Sequence, residues 1–139
     1  MKILQWLAPA YTLVVIWGSM SSNVMPQVSV SHVDKLYHAT AYLLMTLLWY
    51  GFFYVRFMAK QSHLKISLGV VLSNFSKPMA VGAVILSFLI GILIELGQGF
   101  VSTERQMDIY DVLANGVGIV IAAIILVVIN HSFNRTKNS

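Results

Sequence analysis

Histidine, carboxylate, tyrosine and lysine side chains gather in three short stretches of an otherwise apolar chain. In "DKLYHATAY", Asp34, His38 and Tyr42 recur at i, i+4 and i+8 with Lys35 beside them, a spacing that makes one stripe on a helix. In "GILIELGQ", Gly91, Glu95 and Gln98 repeat at i, i+4 and i+7. In "RQMDIYDVLANGVG", Arg105, Asp108, Asp111, Asn115 and Gly118 follow at steps of three, three, four and three. A neutral imidazole near a carboxylate can act as a general base or bind a metal. Histidine with carboxylates suits Zn²⁺, Mn²⁺ or Mg²⁺ without selecting one. Arg105 by itself could grip a lipid phosphate bidentately. The chain has no cysteine, which removes disulfides and thiol chemistry. It also lacks a nucleophile elbow, an H-E-x-x-H pair and a phosphate loop.

The elements that must position these residues are read from composition. Of 139 residues, 58% are hydrophobic and 10% charged, against roughly 45–50% apolar in soluble domains. Four apolar stretches, at about 3–20, 36–55, 79–100 and 109–129, each approach the ~20 residues that cross a ~30 Å hydrocarbon core. The expected architecture is all-α: a polytopic membrane protein with four transmembrane helices in a compact bundle, a single domain over 1–139 with no soluble domain. Ionisable groups facing lipid near the bilayer centre cost roughly 2.5–3.5 kcal/mol each on insertion scales. The three polar stripes are therefore expected to turn inward and meet, with Gly91 and Gly118 letting the backbones approach.

Charge sets the expected orientation. Lys2, Arg56, Lys60, Lys65, Lys77, Arg135 and Lys137 fall on the side shared by both termini, against Lys35 and Arg105 on the other, which puts the termini in the cytoplasm by the positive-inside rule. The chain's five acidic residues, Asp34, Glu95, Glu104, Asp108 and Asp111, all belong to the opposite, outer side. Glu95 follows Met79 by a helical travel of about 24 Å at ~1.5 Å per residue, so it too lies near the outer leaflet. Lys2 and the apolar run after it imitate a signal peptide, but the single basic residue and the long apolar stretch disfavour cleavage. "KISLGVVLS" in the inner loop is too short to span and is expected at the cytoplasmic interface, and the terminal "NHSFNRTKNS" is expected to fray. Trp6, Trp17, Trp49, Tyr37, Tyr50 and Tyr54 are read as interfacial anchors, the methionines as core filler, and the first helix as support. His32, His63 and His131 are expected in solvated loops or the tail.

"DKLYHATAY", the "ELGQ" at Glu95 to Gln98, and "RQMDIYDVLANGVG" together resemble the VanZ-like family of small bacterial membrane proteins. Its pattern of D-K-x-x-H-x-x-x-Y, E-x-x-Q and R-x-x-D-x-x-D-x-x-x-N-x-x-G is matched in order and spacing over the second to fourth helices. The resemblance implies that Asp34, Lys35, His38, Tyr42, Glu95, Gln98, Arg105, Asp108, Asp111 and Asn115 are signature residues. It also implies a protein of the bacterial cytoplasmic membrane and cell envelope, linked to resistance against teicoplanin, a glycopeptide acting outside the cell.

Two functions lead on these residues, ahead of a proton or cation pathway, which the almost purely apolar cytoplasmic halves of the helices disfavour, and of a network that only fixes helix packing. The favoured one is a binding protein whose polar pocket at the outer leaflet holds a lipid head group or a lipid-linked cell-wall intermediate, with Asp34, Lys35, Tyr42, Gln98, Arg105 and Asn115 as binding residues. The alternative is a membrane-embedded hydrolase or transferase in which Glu95, His38, Asp108 and Asp111 act as acid, base or metal ligands. Blander roles stand beside both: Asp34 in a capping box with Ser31, Asp108 and Asp111 capping the fourth helix, Glu95 ion-paired with Arg105 or Lys35, and Gln98 and Asn115 as interhelical glue. The lipid bilayer is the one certain partner. No basic cluster suggests nucleic acid, and no feature selects an oligomeric state.

Overall fold

The structure is a computed structural model that describes residues 4–21, 31–60, 70–71, 74–101 and 108–137. Among the described residues it is all-helical, with no strand, and four long helices carry the fold: α1 (Leu4–Met20), α2 (Ser31–Ala59), α3 (Lys77–Val101) and α4 (Ile109–Lys137). Two of them are long and apolar enough to cross a membrane, over Lys77–Phe100 and Ile109–Ser132. The outward faces are greasy: Leu13, Val14, Leu93, Val120, Ile124 and Val128 are all exposed. A run of exposed large apolar side chains on every helix is unlike a soluble bundle, which turns its apolar stripe inward.

The helix boundaries follow local chemistry. α3 begins where the Ser76 carbonyl accepts from Ala80 N at 3.0 Å, with Pro78 in the first turn, where a missing N–H costs nothing. α4 is capped by Asp108, whose Oδ1 accepts from Tyr110 N at 2.8 Å while its carbonyl takes Asp111 N at 3.0 Å. α2 starts at Ser31, ahead of the expected apolar run, with Asp34 in its first turn and Arg56 in its last. Both charges suit the helix dipole. The expectation of a frayed tail is corrected. α4 continues through Lys137, because no glycine or proline follows Gly118 to stop it. "KISLGVVLS" lies outside the described residues apart from Val70 and Val71.

α2 is the central element, packing against each of the other three, while α1 touches α2 and α3 but not α4. Two apolar clusters hold the bundle. One joins Tyr50, Tyr54, Val55, Val71, Ala80, Ala83 and Leu126; the other joins Val15, Tyr42, Met45, Ile94 and Ile119. Tyr50 and Tyr54 are thus core residues rather than interfacial anchors, since each ring packs inward and each hydroxyl finds backbone: Ser76 N donates to Tyr50 OH at 3.2 Å and Tyr54 OH donates to the Val70 carbonyl at 3.5 Å. Trp6, Trp17 and Tyr37 do face outward.

α1 joins through a stripe that is visible in its sequence. Ala8, Thr12, Val15 and Ser19 are buried and recur at i, i+4, i+7 and i+11, one face of a helix with three small residues that permit close packing. Thr12 Oγ1 accepts from Trp49 Nε1 at 3.0 Å, and Tyr11 OH donates to the Ala41 carbonyl at 3.3 Å.

Candidate functional site

The α2–α4 contact sets the site. A Cβ placed on Gly118 would run into the Ala39 carbonyl, so only glycine lets the two backbones come this close. That approach puts the Asp34–His38 face of α2 directly against the Asp111–Asn115 face of α4. On α3, a Cβ at Gly91 would stand 3.0 Å from the Tyr42 ring, so the tyrosine lies over the glycine one turn before Glu95. The two glycines of the polar stripes are therefore the points where the walls of the site meet.

Four helix-borne groups are deeply buried there: His38 at 3% exposure, Glu95 at 1%, Asn115 at 3% and Tyr42 at 1%. His38 Nδ1 lies 3.1 Å from Asn115 Oδ1. An amide oxygen only accepts, so Nδ1 carries the hydrogen, and in the neutral ring Nε2 presents its lone pair. That nitrogen faces Asp111 Oδ2 at 3.6 Å and Asp34 Oδ1 at 3.9 Å, both beyond hydrogen-bond length.

Above His38, Lys35 gathers the remaining carboxylate oxygens. Its Nζ donates to Asp111 Oδ1 and to Asp108 Oδ2 at 2.6 Å, and stands 3.6 Å from Asp34 Oδ2. Burial works against the Lys35 ammonium, but its hydrogen bonds to Asp108 and Asp111 outweigh this and hold it above the usual lysine range. The same hydrogen bond, reinforced by the Tyr110 backbone N–H, holds the Asp108 carboxyl below the usual carboxylate range. Asp108 therefore serves both as a helix cap and as a lysine partner.

Glu95 reaches this group from α3. Its Oε2 accepts from Asp108 N at 3.4 Å, and it is within electrostatic range of Asp111, His38 and Asp108. Tyr42 feels Glu95 in turn. Several buried polar atoms of this group have no hydrogen-bond partner among the described residues: His38 Nε2, Tyr42 OH, Glu95 Oε1 and Asn115 Nδ2. Such atoms cost about 1–3 kcal/mol each when left unpaired.

Of the expected site residues, Asp34, Lys35, His38, Tyr42, Glu95, Asp108, Asp111 and Asn115 come together. Gln98 does not join them. It is buried, but its Nε2 donates to the Ser19 carbonyl of α1 at 2.7 Å. Ser19 is thus a contact that residue-by-residue scanning for chemistry passed over, although its place on the small-residue stripe of α1 marks it. Arg105 lies outside the described residues, as does Glu104. His131 is exposed on α4.

A half-buried cluster, with His38, Glu95 and Asp111 buried and Lys35, Asp34 and Asp108 partly exposed, among helices with apolar outer faces fits a membrane protein with a polar site between its helices. Residues 5–130 match the VanZ/LLP1 family, and the chain belongs to that family. No curated protein and no solved structure matches it.

Proposed function

We propose that this VanZ-like protein binds the polar head group of an envelope lipid, or a lipid-linked cell-wall intermediate, in the cluster formed by Asp34, Lys35, His38, Tyr42, Glu95, Asp108, Asp111 and Asn115. The observation that carries this reading is a set of four buried polar atoms, His38 Nε2, Tyr42 OH, Glu95 Oε1 and Asn115 Nδ2, drawn from three helices and without a hydrogen-bond partner among the described residues. A network built only to hold helices together would pair its own donors and acceptors. These atoms offer both signs: Asn115 Nδ2 donates, Glu95 Oε1 accepts, and the tyrosine hydroxyl does either. A hydroxyl- or amine-bearing head group could use all of them.

Two further features agree. On the α1–α3 side a groove of about 260 Å³ is walled by Ile16, Met20, Ile90, Leu93, Ile94 and Gly97, apolar throughout, on a different face of α3 from Glu95, and able to take an acyl chain. Arg105, three residues before Asp108, would supply a phosphate partner. The proposed setting is the bacterial cytoplasmic membrane, with four spans, both termini cytoplasmic and the cluster at the outer leaflet. There it would meet the lipids and cell-wall precursors that glycopeptides also target.

Native mass spectrometry of protein extracted with its lipids tests this. Wild type is expected to carry one specific lipid or lipid-linked adduct, reduced in Glu95→Gln and His38→Ala. Spectra with no lipid enriched over the bulk membrane would sink the reading. Topology is checked separately, since the chain's lack of cysteine makes single-cysteine labelling clean. Lys60→Cys should be shielded from an impermeant maleimide in intact cells and Tyr110→Cys labelled; the reverse pattern would invert the orientation.

A further inference from the structure

We infer that Asp34, His38 and Asp111 form a binding site for one divalent zinc ion. One donor atom from each residue lies within 4.8 Å of the other two, and the distances discriminate between explanations. His38 Nε2 stands 3.6 Å from Asp111 Oδ2 and 3.9 Å from Asp34 Oδ1. Both are too long for N–H···O bonds of about 2.7–3.2 Å. Two ligands of a tetrahedral ion with bonds of about 2.0–2.1 Å stand about 3.4 Å apart, so small side-chain adjustments would seat an ion among the three.

The orientation of each group favours a cation at their centre. His38 Nε2 is buried and has no hydrogen-bond partner among the described residues. In the tautomer set by Asn115 its lone pair faces two carboxylates; a proton on Nε2 or a cation between the three would relieve the repulsion, and the 3.6 and 3.9 Å separations suit a shared cation better than N–H···O bonds. Lys35 does not supply that charge at the centre, because it binds the other oxygen of Asp111 and stands by the other oxygen of Asp34. Each carboxylate thus has one oxygen on the lysine side, bonded to it in Asp111 and 3.6 Å from it in Asp34, and one facing the imidazole.

Two of the three ligands, His38 and Asp111, already have the hydrogen-bonded outer partners that metal sites use. Histidine ligands usually donate their second ring N–H to an oxygen, and ligating carboxylates are themselves hydrogen-bonded. Here Asn115 Oδ1 takes the His38 N–H at 3.1 Å, and Lys35 Nζ donates to Asp111 and lies as an ion-pair neighbour 3.6 Å from Asp34. Two carboxylates and a neutral imidazole balance a divalent charge, leaving Lys35 to Asp108. One nitrogen with two oxygens suits zinc better than calcium or magnesium, which prefer oxygen throughout.

The test uses the full chain in detergent, stripped with a chelator, loaded with Zn²⁺ and freed of excess. Elemental analysis should find about one zinc per chain in wild type, and at least tenfold weaker binding in Asp111→Asn and His38→Gln. Substoichiometric zinc in wild type, or equal affinity in folded variants, would overturn the site. Should either variant lose its helical circular dichroism, Asn115→Ala decides instead. It keeps all three ligands and is expected to bind about 10- to 100-fold more weakly, whereas unchanged affinity would count against the site. Co²⁺ in place of Zn²⁺ should give visible absorption typical of a four-coordinate nitrogen–oxygen set in wild type, and a spectrum identical to the aqueous ion would refute it. Lipid and metal readouts fail separately: zinc bound without a lipid adduct would overturn the head-group reading alone, and an adduct without zinc would overturn the metal site alone.

Discussion

The two ends of the bundle bury polar groups in opposite ways. At the end built around Tyr50 and Tyr54, the polar contacts among the described residues close on backbone or on a matched partner: Ser76 N donates to Tyr50 OH at 3.2 Å, and Phe75 N donates to Asn130 Oδ1 at 3.3 Å. The Tyr50 ring also stacks on Phe75 with centroids 6.1 Å apart. At the Asp34 end, charge and hydrogen-bonding capacity exceed what the described residues can satisfy, with Asp34, Glu95, Asp108 and Asp111 set against Lys35. A closed network stabilises helix packing; an open one holds its groups for something else. On the proposed function, the same fold separates a structural polar end from a binding one.

The sharpest way to break this comparison is to force the helices apart at the binding end. Gly118→Leu should have the largest effect, because its side chain must displace the Ala39 carbonyl, which is backbone and cannot swing away. Overpacking of this kind costs about 1–3 kcal/mol or more, well above the roughly 1 kcal/mol of helix propensity gained on leaving glycine. Reversible unfolding in mixed micelles should show that loss, and metal and lipid binding should fall with it. A variant of unchanged stability would mean that α2 and α4 do not approach as described.

Lys35→Met comes next. It strands Asp108 and Asp111, and removing one partner of a buried pair can cost 3–5 kcal/mol. The Lys35 side chain is 30% exposed, so solvent screening cuts this to about 1–2 kcal/mol. Unfolding measured beside Lys60→Met, an exposed lysine at the other end of α2, should show the loss only in the first. Equal losses would remove the special standing of the cluster.

How much of this was legible in the sequence depends on the kind of signal. The stripes Asp34–His38–Tyr42 and Asp111–Asn115–Gly118 were readable because a buried charge is expensive in lipid, and helical spacing then dictates which charges can meet. The glycine approach was readable for the same reason. The partner of Gln98 was not, since its spacing from Glu95 assigns a face but not which of two neighbouring helices that face meets. Tyr50 and Tyr54 misled because aromatic residues near a span end fit an interfacial belt and a core equally well, and only the Ser76 and Val70 backbone groups decide. The continuation of α4 through polar residues escaped because polar composition suggests fraying, while the absence of glycine and proline permits helix.

A tyrosine pair sharpens the contrast with one atom removed at each end. Tyr50→Phe takes the hydroxyl from Ser76 N and should cost about 0.5–1.5 kcal/mol. Tyr42→Phe removes a hydroxyl that bonds to none of the described residues, so stability should be unchanged or higher, while retention of the lipid adduct falls. Both are read by unfolding and native mass spectrometry on the same preparations. If Tyr42→Phe were the more destabilising of the two, its hydroxyl would be structural and the open network would be closed after all.

The smallest effect is expected at the residue that does not fit the division. Ser87 is fully buried on α3, and its Oγ also lacks a hydrogen-bond partner among the described residues, yet no ionisable group of the cluster is paired with it. Its neighbours in sequence are apolar, and one turn earlier Ala83 lies in the aromatic core. Size explains the residue better than chemistry: a small side chain lets α3 lie close against its neighbours, and serine and alanine are nearly the same volume. Ser87→Ala should therefore be neutral or stabilising by a few tenths of a kcal/mol, since it removes an unpaired polar group without opening a cavity. Zinc affinity and lipid retention should both be unchanged. A loss of either would extend the binding end a full two turns down α3 from Glu95, and would make Ser87 one of its walls.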